Sequence, residues 1–188
     1  MSFMSNKHTK RSIAKILSSK VMYRGPVFSV RRDRIIEPGG VRTTRDVVTH
    51  GGSVVVMPVF SNGDILLIRQ YRYSVNAHLW ELVAGRKEPN ESALTGAKRE
   101  LREETGYRAR RYRKLLTLYP TPGFVSEHME VFAAEGLEAG EAAPEDDERI
   151  TARRFTPGEI KRWLRAGKFH DAKSIASLLY YLDVYRKR

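Results

Sequence analysis

Glu100, Glu103 and Glu104 fall within five residues of a chain whose formal net charge is +12. On a helix, residues three and four apart share a face, so the three carboxylates project together. Left uncompensated they repel one another. A solvated acidic patch paired with Arg99 and Arg102 is one resolution of that repulsion. A divalent cation is the other. Hard oxygen donors on one rigid face suit Mg2+, which keeps waters and shares its remaining positions with phosphate oxygens. A cation held there polarises a phosphoryl group and acidifies a water. Gly85, upstream, lets the backbone come close to such an ion or its ligand, because it carries no Cβ.

Those carboxylates need a helix to align them, and one is predicted over about 91–104. Asn90 is its expected N-cap, with Glu91 in the first turn where the helix dipole favours a carboxylate. Ala93, Leu94, Ala97 and Leu101 form the expected apolar stripe. Gly96 inside it costs about 1 kcal/mol against alanine, and Gly106 is the expected C-terminal stop. Before the helix, residues 27–34 and 41–50 read as strands joined through Pro38-Gly39-Gly40. The runs 53–60 and 64–72 are separated by Ser61-Asn62-Gly63, a hairpin signal. Residues 80–83 form a short strand. After the helix, 114–119 and 129–134 are expected strands, 135–148 an acidic, Gly- and Ala-rich loop. Thr156-Pro157-Gly158-Glu159 opens a helix with a capping box, and a last amphipathic helix covers 171–186. This order predicts an α+β fold, helices packed on a mixed sheet.

The length fits one domain with a small appendage. The absence of cysteine excludes disulfides, thiolate metal sites and cysteine nucleophiles. No apolar run reaches membrane-spanning length, and the basic N-terminus lacks the apolar core of a secretory signal, so no membrane partner and a cytoplasmic location are expected. Half of the excess positive charge lies in residues 1–24, where Lys7, Lys10, Arg11, Lys15, Lys20 and Arg24 meet no acid. A second cluster is Arg108, Arg110, Arg111, Arg113 and Lys114. Such a field favours anionic partners, although a solvated tail and a solubilising face explain it equally simply. His50, His78, His128 and His170 are too scattered for an obvious metal set, and Ser126 lacks the surroundings of a nucleophilic triad.

The stretch 85–107 resembles the Nudix box: a glycine, five residues, a glutamate, seven residues, then Arg-Glu-apolar-x-Glu-Glu-x-Gly-apolar. Gly85, Glu91, Arg99, Glu100, Leu101, Glu103, Glu104, Gly106 and Tyr107 occupy every position at the right spacing. Other stretches are similar to the ADP-ribose pyrophosphatase branch. They are WELVAG before the box, RQYR at 69–72, Arg45-Asp46 followed by His50, TPGFVSE at 121–127, and GKFHDAKSIASLLYYL near the end. Pro122 lies sixteen residues after Gly106, where that branch carries a proline. Val83 stands where many members have proline, and Asp46 where they have glutamate.

The resemblance implies the Nudix fold, a mixed sheet sandwiched between helices, with an N-terminal antiparallel β extension. Residues 1–20 would be a flexible basic tail, 21–50 the β extension that forms a homodimer by strand exchange, and 51–188 the hydrolase domain. It implies Mg2+-dependent hydrolysis of the ADP-ribose diphosphate bond to AMP and ribose 5-phosphate, with a metal-bound water as nucleophile. Glu100, Glu103, Glu104 and the Ala84 carbonyl would hold two or three Mg2+, Mn2+ serving as a substitute. Arg99 and Glu91 would orient them. Arg45, Arg72, Glu127, Pro122 and Gly123 would face the substrate, with Phe28 stacked on its base, although a core position fits Phe28 as well. A glutamate on the acidic loop would be the general base, Glu148 first and Glu145 second. Another nucleoside diphosphate sugar, such as GDP-mannose, is the alternative substrate. RNA 5′-end hydrolysis, with nucleic acid on the basic tail, is a more distant one, and a binding module without catalysis is a third class.

Overall fold

The computed structural model describes residues 13–141 and 150–186. These divide into two units, one running up to His50 together with Thr121–Ser126, the other taking in Gly51–Pro120 and the residues from Glu127 onward. The first unit is a three-stranded antiparallel sheet of β1 (Lys15–Arg24), β2 (Ser29–Ile36) and β3 (Arg42–Thr49). The 121–126 segment meets this sheet at Val48, whose N–H donates to the Phe124 carbonyl and whose carbonyl accepts from Ser126.

The second unit is built on β4 (Ser53–Val59), every residue of which is buried. A run of apolar, β-branched residues with no alternation is what a strand covered on both faces requires. The sheet runs β10 (Thr151–Phe155), β5 (Ile65–Arg72), β4, β9 (Met129–Glu138), β8 (Arg108–Leu118), with β6 (Ala77–Glu81) on β5 and β7 (Val83–Arg86) on β4. Only the β4–β9 pairing is parallel among those of the described residues, which makes the sheet mixed. Alternate residues of β4 feed two separate cores. Val54 and Val56 pack with Ala97 and Leu101 of α1 (Ala93–Thr105). Val55 and Met57 pack with Ile160 of α2 (Pro157–Arg165) and Leu178 of α3 (Ala172–Tyr180). The fold is α+β, a mixed sheet sandwiched between helices.

The turn at Asn62-Gly63 closes the β4–β5 hairpin, with Phe60 donating to the Asp64 carbonyl at 2.9 Å and Gly63 at φ 88°. Thr156 also caps α2, accepting from the Glu159 N–H at 3.1 Å, while the Glu159 carboxylate pairs with Arg153. Among the described residues no helix is long and apolar enough to cross a membrane.

Several expectations are corrected. The basic tail expected over 1–20 becomes strand β1 at Lys15, paired with β2 through a register that shifts between Ile16 and Ser18 and again between Val21 and Tyr23. All ten of its residues are exposed, so backbone pairing holds it and no apolar alternation marks it. The N-cap of α1 is Ser92, accepting from Thr95 at 3.1 Å, because Asn90 sits in the left-handed region at φ 64° and turns the chain before the helix begins. Leu94, expected on the buried stripe, is 42 % exposed. Residues 80–83 are not one strand, since Leu82 separates β6 from β7 and sends them to different neighbours.

Candidate active site

Helix α1 buries Gly96, Ala97, Leu101 and two acids, Glu100 and Glu104, at 9 % and 5 % exposure. A buried carboxylate needs a cation or a set of donors, and this helix supplies one guanidinium for several acids. Arg99 donates from Nε and Nη2 to Glu91 at 3.1 and 3.0 Å, and from Nη1 to Glu100 at 2.7 Å and Glu103 at 3.1 Å. Its Nη2 also reaches the Arg86 carbonyl at 2.9 Å, tying the helix to the end of β7. The Glu91 hydrogen bond, joined by the charge of Glu100, holds the guanidinium far above the ordinary arginine range. Arg99 in turn holds the Glu91 carboxyl below the usual carboxylate range.

Two glycines make room for this arrangement. A Cβ on Gly85 would fall 1.9–2.3 Å from the Glu100 carboxylate, so the absent side chain of β7 is the space the acid fills. A Cβ on Gly96 would lie 2.9 Å from Oε2 of Glu91. The weak spot that Gly96 makes in the helix is therefore the place where Glu91 lies against it. Glu91 precedes the helix, and its Oε2 also accepts the Glu88 N–H at 3.0 Å.

A divalent ion fits these residues by donor chemistry. Glu100, Glu103 and Glu104 are hard oxygen donors on one face, and β7 brings Ala84 and Gly85 alongside through its pairing with Val55 and Val54. In the arrangement described, the guanidinium of Arg99 bridges Glu100 and Glu103, and among the described residues no three His, Asp or Glu side chains converge as a ligand set. Arginine thus supplies part of the positive charge the acids require, at Glu91, Glu100 and Glu103.

The remaining expected residues divide between the two units. In the second unit, Arg72 makes a two-pronged ion pair with Glu81 at 2.8 Å for each prong, and Glu127 accepts from the Ser53 hydroxyl at 2.5 Å. In the first unit, Arg45 is paired with Glu37 at 2.6 Å. Phe28 is exposed and packs tilted on Tyr23 at 5.7 Å between ring centroids. Pro122 and Gly123 lie in the turn between Thr121 and Phe124, also in the first unit. Glu145 and Glu148 lie outside the described residues.

The sequence reading passed over Glu81 and Lys173. Glu81 is 1 % exposed and receives both Arg72 and the Lys173 ammonium, which also donates to Asp171 at 3.0 Å. Burial pushes its carboxyl up, but the Arg72 and Lys173 hydrogen bonds and charges outweigh that and leave it below the ordinary range. The available signal was a lone acid inside the apolar run 79–83.

Comparison with known proteins bears on the whole arrangement. A family model described as NUDIX domain matches residues 49–178. An ADP-ribose pyrophosphatase of Mycobacterium tuberculosis (strain ATCC 25618 / H37Rv) is 36 % identical over 87 % of this chain and 80 % of its own. An ADP-ribose pyrophosphatase of Bacillus subtilis (strain 168) is 30 % identical over 88 % of this chain and 91 % of its own. The crystal structure of an ADP compounds hydrolase superposes with a TM-score of 0.81 at 21 % identity, covering 95 % and 97 % of the two chains.

Proposed function

The chain belongs to the NUDIX family, and on that footing we propose that it hydrolyses the diphosphate of ADP-ribose. Water adds to one phosphorus, the bridging P–O bond breaks, and AMP and ribose 5-phosphate leave. The observation that carries this reading is the Glu100 carboxylate seated in the space left by Gly85, with Glu103 and Glu104 on the same helix face. The two relatives named ADP-ribose pyrophosphatase support the choice of substrate.

Family members generally use divalent metal ions. Here Mg2+ is the proposed ion, held by Glu100, Glu103, Glu104 and the Ala84 carbonyl, and it supplies charge neutralisation for the diphosphate. Arg99 orients Glu100 and Glu103 and keeps Glu91 ionised beneath them. Arg72, fixed by Glu81, and Arg45 present guanidiniums suited to phosphate oxygens. Glu127 is assigned to substrate contact. Glu148 is assigned as the base that takes the proton from the attacking water, on its sequence position alone. Unchanged kcat in Glu148→Gln would move the assignment to Glu145. A homodimer completes the reading and rests on the resemblance; sedimentation of the full chain as a monomer would remove it.

The deciding experiment is a matched panel of ADP-ribose, GDP-mannose, UDP-glucose, NADH and 5′-triphosphate RNA with Mg2+, the products separated. AMP and ribose 5-phosphate formed fastest from ADP-ribose is the expected result. Faster cleavage of another sugar nucleotide would keep the site and change the substrate. Silence with both Mg2+ and Mn2+ would overturn the reading.

A further inference from the structure

We infer a second anion site, on the outer side of α1, that takes a phosphate monoester. A groove of about 470 Å3 lies between α1 and the start of β8, with Lys98, Arg99 and Arg102 on one side, Arg108 and Tyr112 on the other, and Glu91 at its edge. That volume falls in the range of small-molecule sites, roughly 300–1,000 Å3. Four cations face one carboxylate across it.

The hydrogen bonds separate these cations by availability. All the N–H groups of Arg99 are directed at Glu91, Glu100, Glu103 and the Arg86 carbonyl, so Arg99 and Glu91 satisfy one another and contribute little net field. Arg102 gives one Nη2 to Glu103 at 3.2 Å. Among the described residues no carboxylate lies within ion-pair distance of Lys98 or Arg108. Lys98 and Arg102 are four apart and share a helix face, where like charges repel. The Lys98 ammonium lies 5.9 Å from the centroid of the half-buried Tyr112 ring, a contact that holds it against the groove wall. An ammonium and the Arg108 guanidinium, with the Arg102 fork only partly engaged by Glu103, line one groove and match a phosphate dianion, which guanidinium grips through paired hydrogen bonds.

The rest of β8 argues for a compact ligand and against a polymer. Arg110 pairs with Glu138, Arg111 and Arg113 with Glu135, and Lys114 with Glu130 of β9. Three carboxylates thus meet four cations along the rest of β8, Glu135 serving both Arg111 and Arg113, and the single charge left over is too little for a track that a nucleic-acid strand could follow. The phosphate can come from an organic ester or from free inorganic phosphate.

The inference stands apart from the hydrolase reading, since the test is made on the full chain without divalent metal. Calorimetric titration with AMP and with inorganic phosphate should show saturable binding. Lys98→Glu/Arg108→Glu should weaken it about tenfold or more, with ADP-ribose turnover at saturation unchanged. Tighter binding of AMP supports an organic ester as the ligand; equal binding of both supports free phosphate. Binding by the double variant equal to that of the parent, or no binding by the parent, overturns the site. Lys98→Ala and Arg108→Ala, each checked by thermal melting, repeat the test should the reversal fail to fold.

Discussion

Two carboxylate clusters in the second unit are built from the same residue types and differ in charge balance. Around Glu81, two acids meet two cations: Arg72 and Lys173 face Glu81 and Asp171. At α1, Glu91 just before the helix and Glu100 and Glu103 on it share Arg99, Arg102 adds only a contact at Glu103, and Glu104 is buried on the same helix. Balanced pairing leaves nothing for a ligand to supply. A deficit of positive charge on a buried face is a standing demand for a cation. The first arrangement is what a fold does to bury a charge, and the second is what a site does to receive one.

The largest expected effect comes from removing charge where the deficit is. Glu104→Gln should lower Mg2+-dependent turnover by about a hundredfold or more. It should leave metal-free melting unchanged or raised, because one repelling charge is gone. A loss of stability with activity retained would place Glu104 with Glu81, as a structural acid, and erase the contrast.

The same substitution at Glu81 should do the opposite. Glu81→Gln removes the carboxylate partner of Arg72 and leaves Lys173, largely buried, with Asp171 alone. A fully buried pair broken on one side costs 3–5 kcal/mol, and the partial exposure of Arg72 reduces this to roughly 2–3 kcal/mol. The sign of the pH dependence follows from the folded carboxyl being held below its ordinary range. Its contribution is complete above the ordinary glutamate pKa and is lost as pH falls through the folded one. Denaturant titrations from neutral pH downward should therefore show a shallower acid slope in Glu81→Gln than in the parent. Parallel slopes would mean that the pair contributes no pH-linked stability.

Gly85→Ala tests the seat itself. The added methyl group meets the far end of a flexible side chain, so Glu100 can swing away with little cost to folding. The acid then leaves the position where β7 approaches it, and turnover should fall about tenfold or more, since misplacement of about 1 Å can cost a hundredfold. Melting should move little. A large drop in melting with normal turnover would make Gly85 a packing residue.

Much of this site was legible because the chemistry is local: the spacing of Glu91, Arg99, Glu100, Glu103 and Glu104 fixes which side chains can meet on one helix. The hairpin at Asn62-Gly63 and the cap at Thr156 were legible for the same reason. Strand β1 was not, because its stability comes from a partner backbone and its side chains face outward. Nor was the pairing of Glu81 with Lys173, which joins residues 92 positions apart. Ser92 displaced Asn90 as the cap because a turn at Glu88–Glu91 takes the chain first, a competition that cap preference alone does not register.

Gly96 gives the finest test of why this helix is built as it is. An alanine there gains about 1 kcal/mol of helix propensity. It also places Cβ 2.9 Å from Oε2 of Glu91 and 3.3 Å from its carboxyl carbon. That carboxylate is held by two Arg99 donors and by the Glu88 N–H, against a single Arg99 donor on Glu100, so it retreats less readily. The two effects should nearly cancel, leaving Gly96→Ala within about 0.5 kcal/mol of the parent. In a Glu91→Ala background the obstacle is gone, and the same substitution should then stabilise by about 1 kcal/mol. A gain of equal size in both backgrounds would mean that Gly96 does not serve Glu91. A gain only in the second makes the glycine part of the charge arrangement on α1, since the acid it admits is one that Arg99 must share.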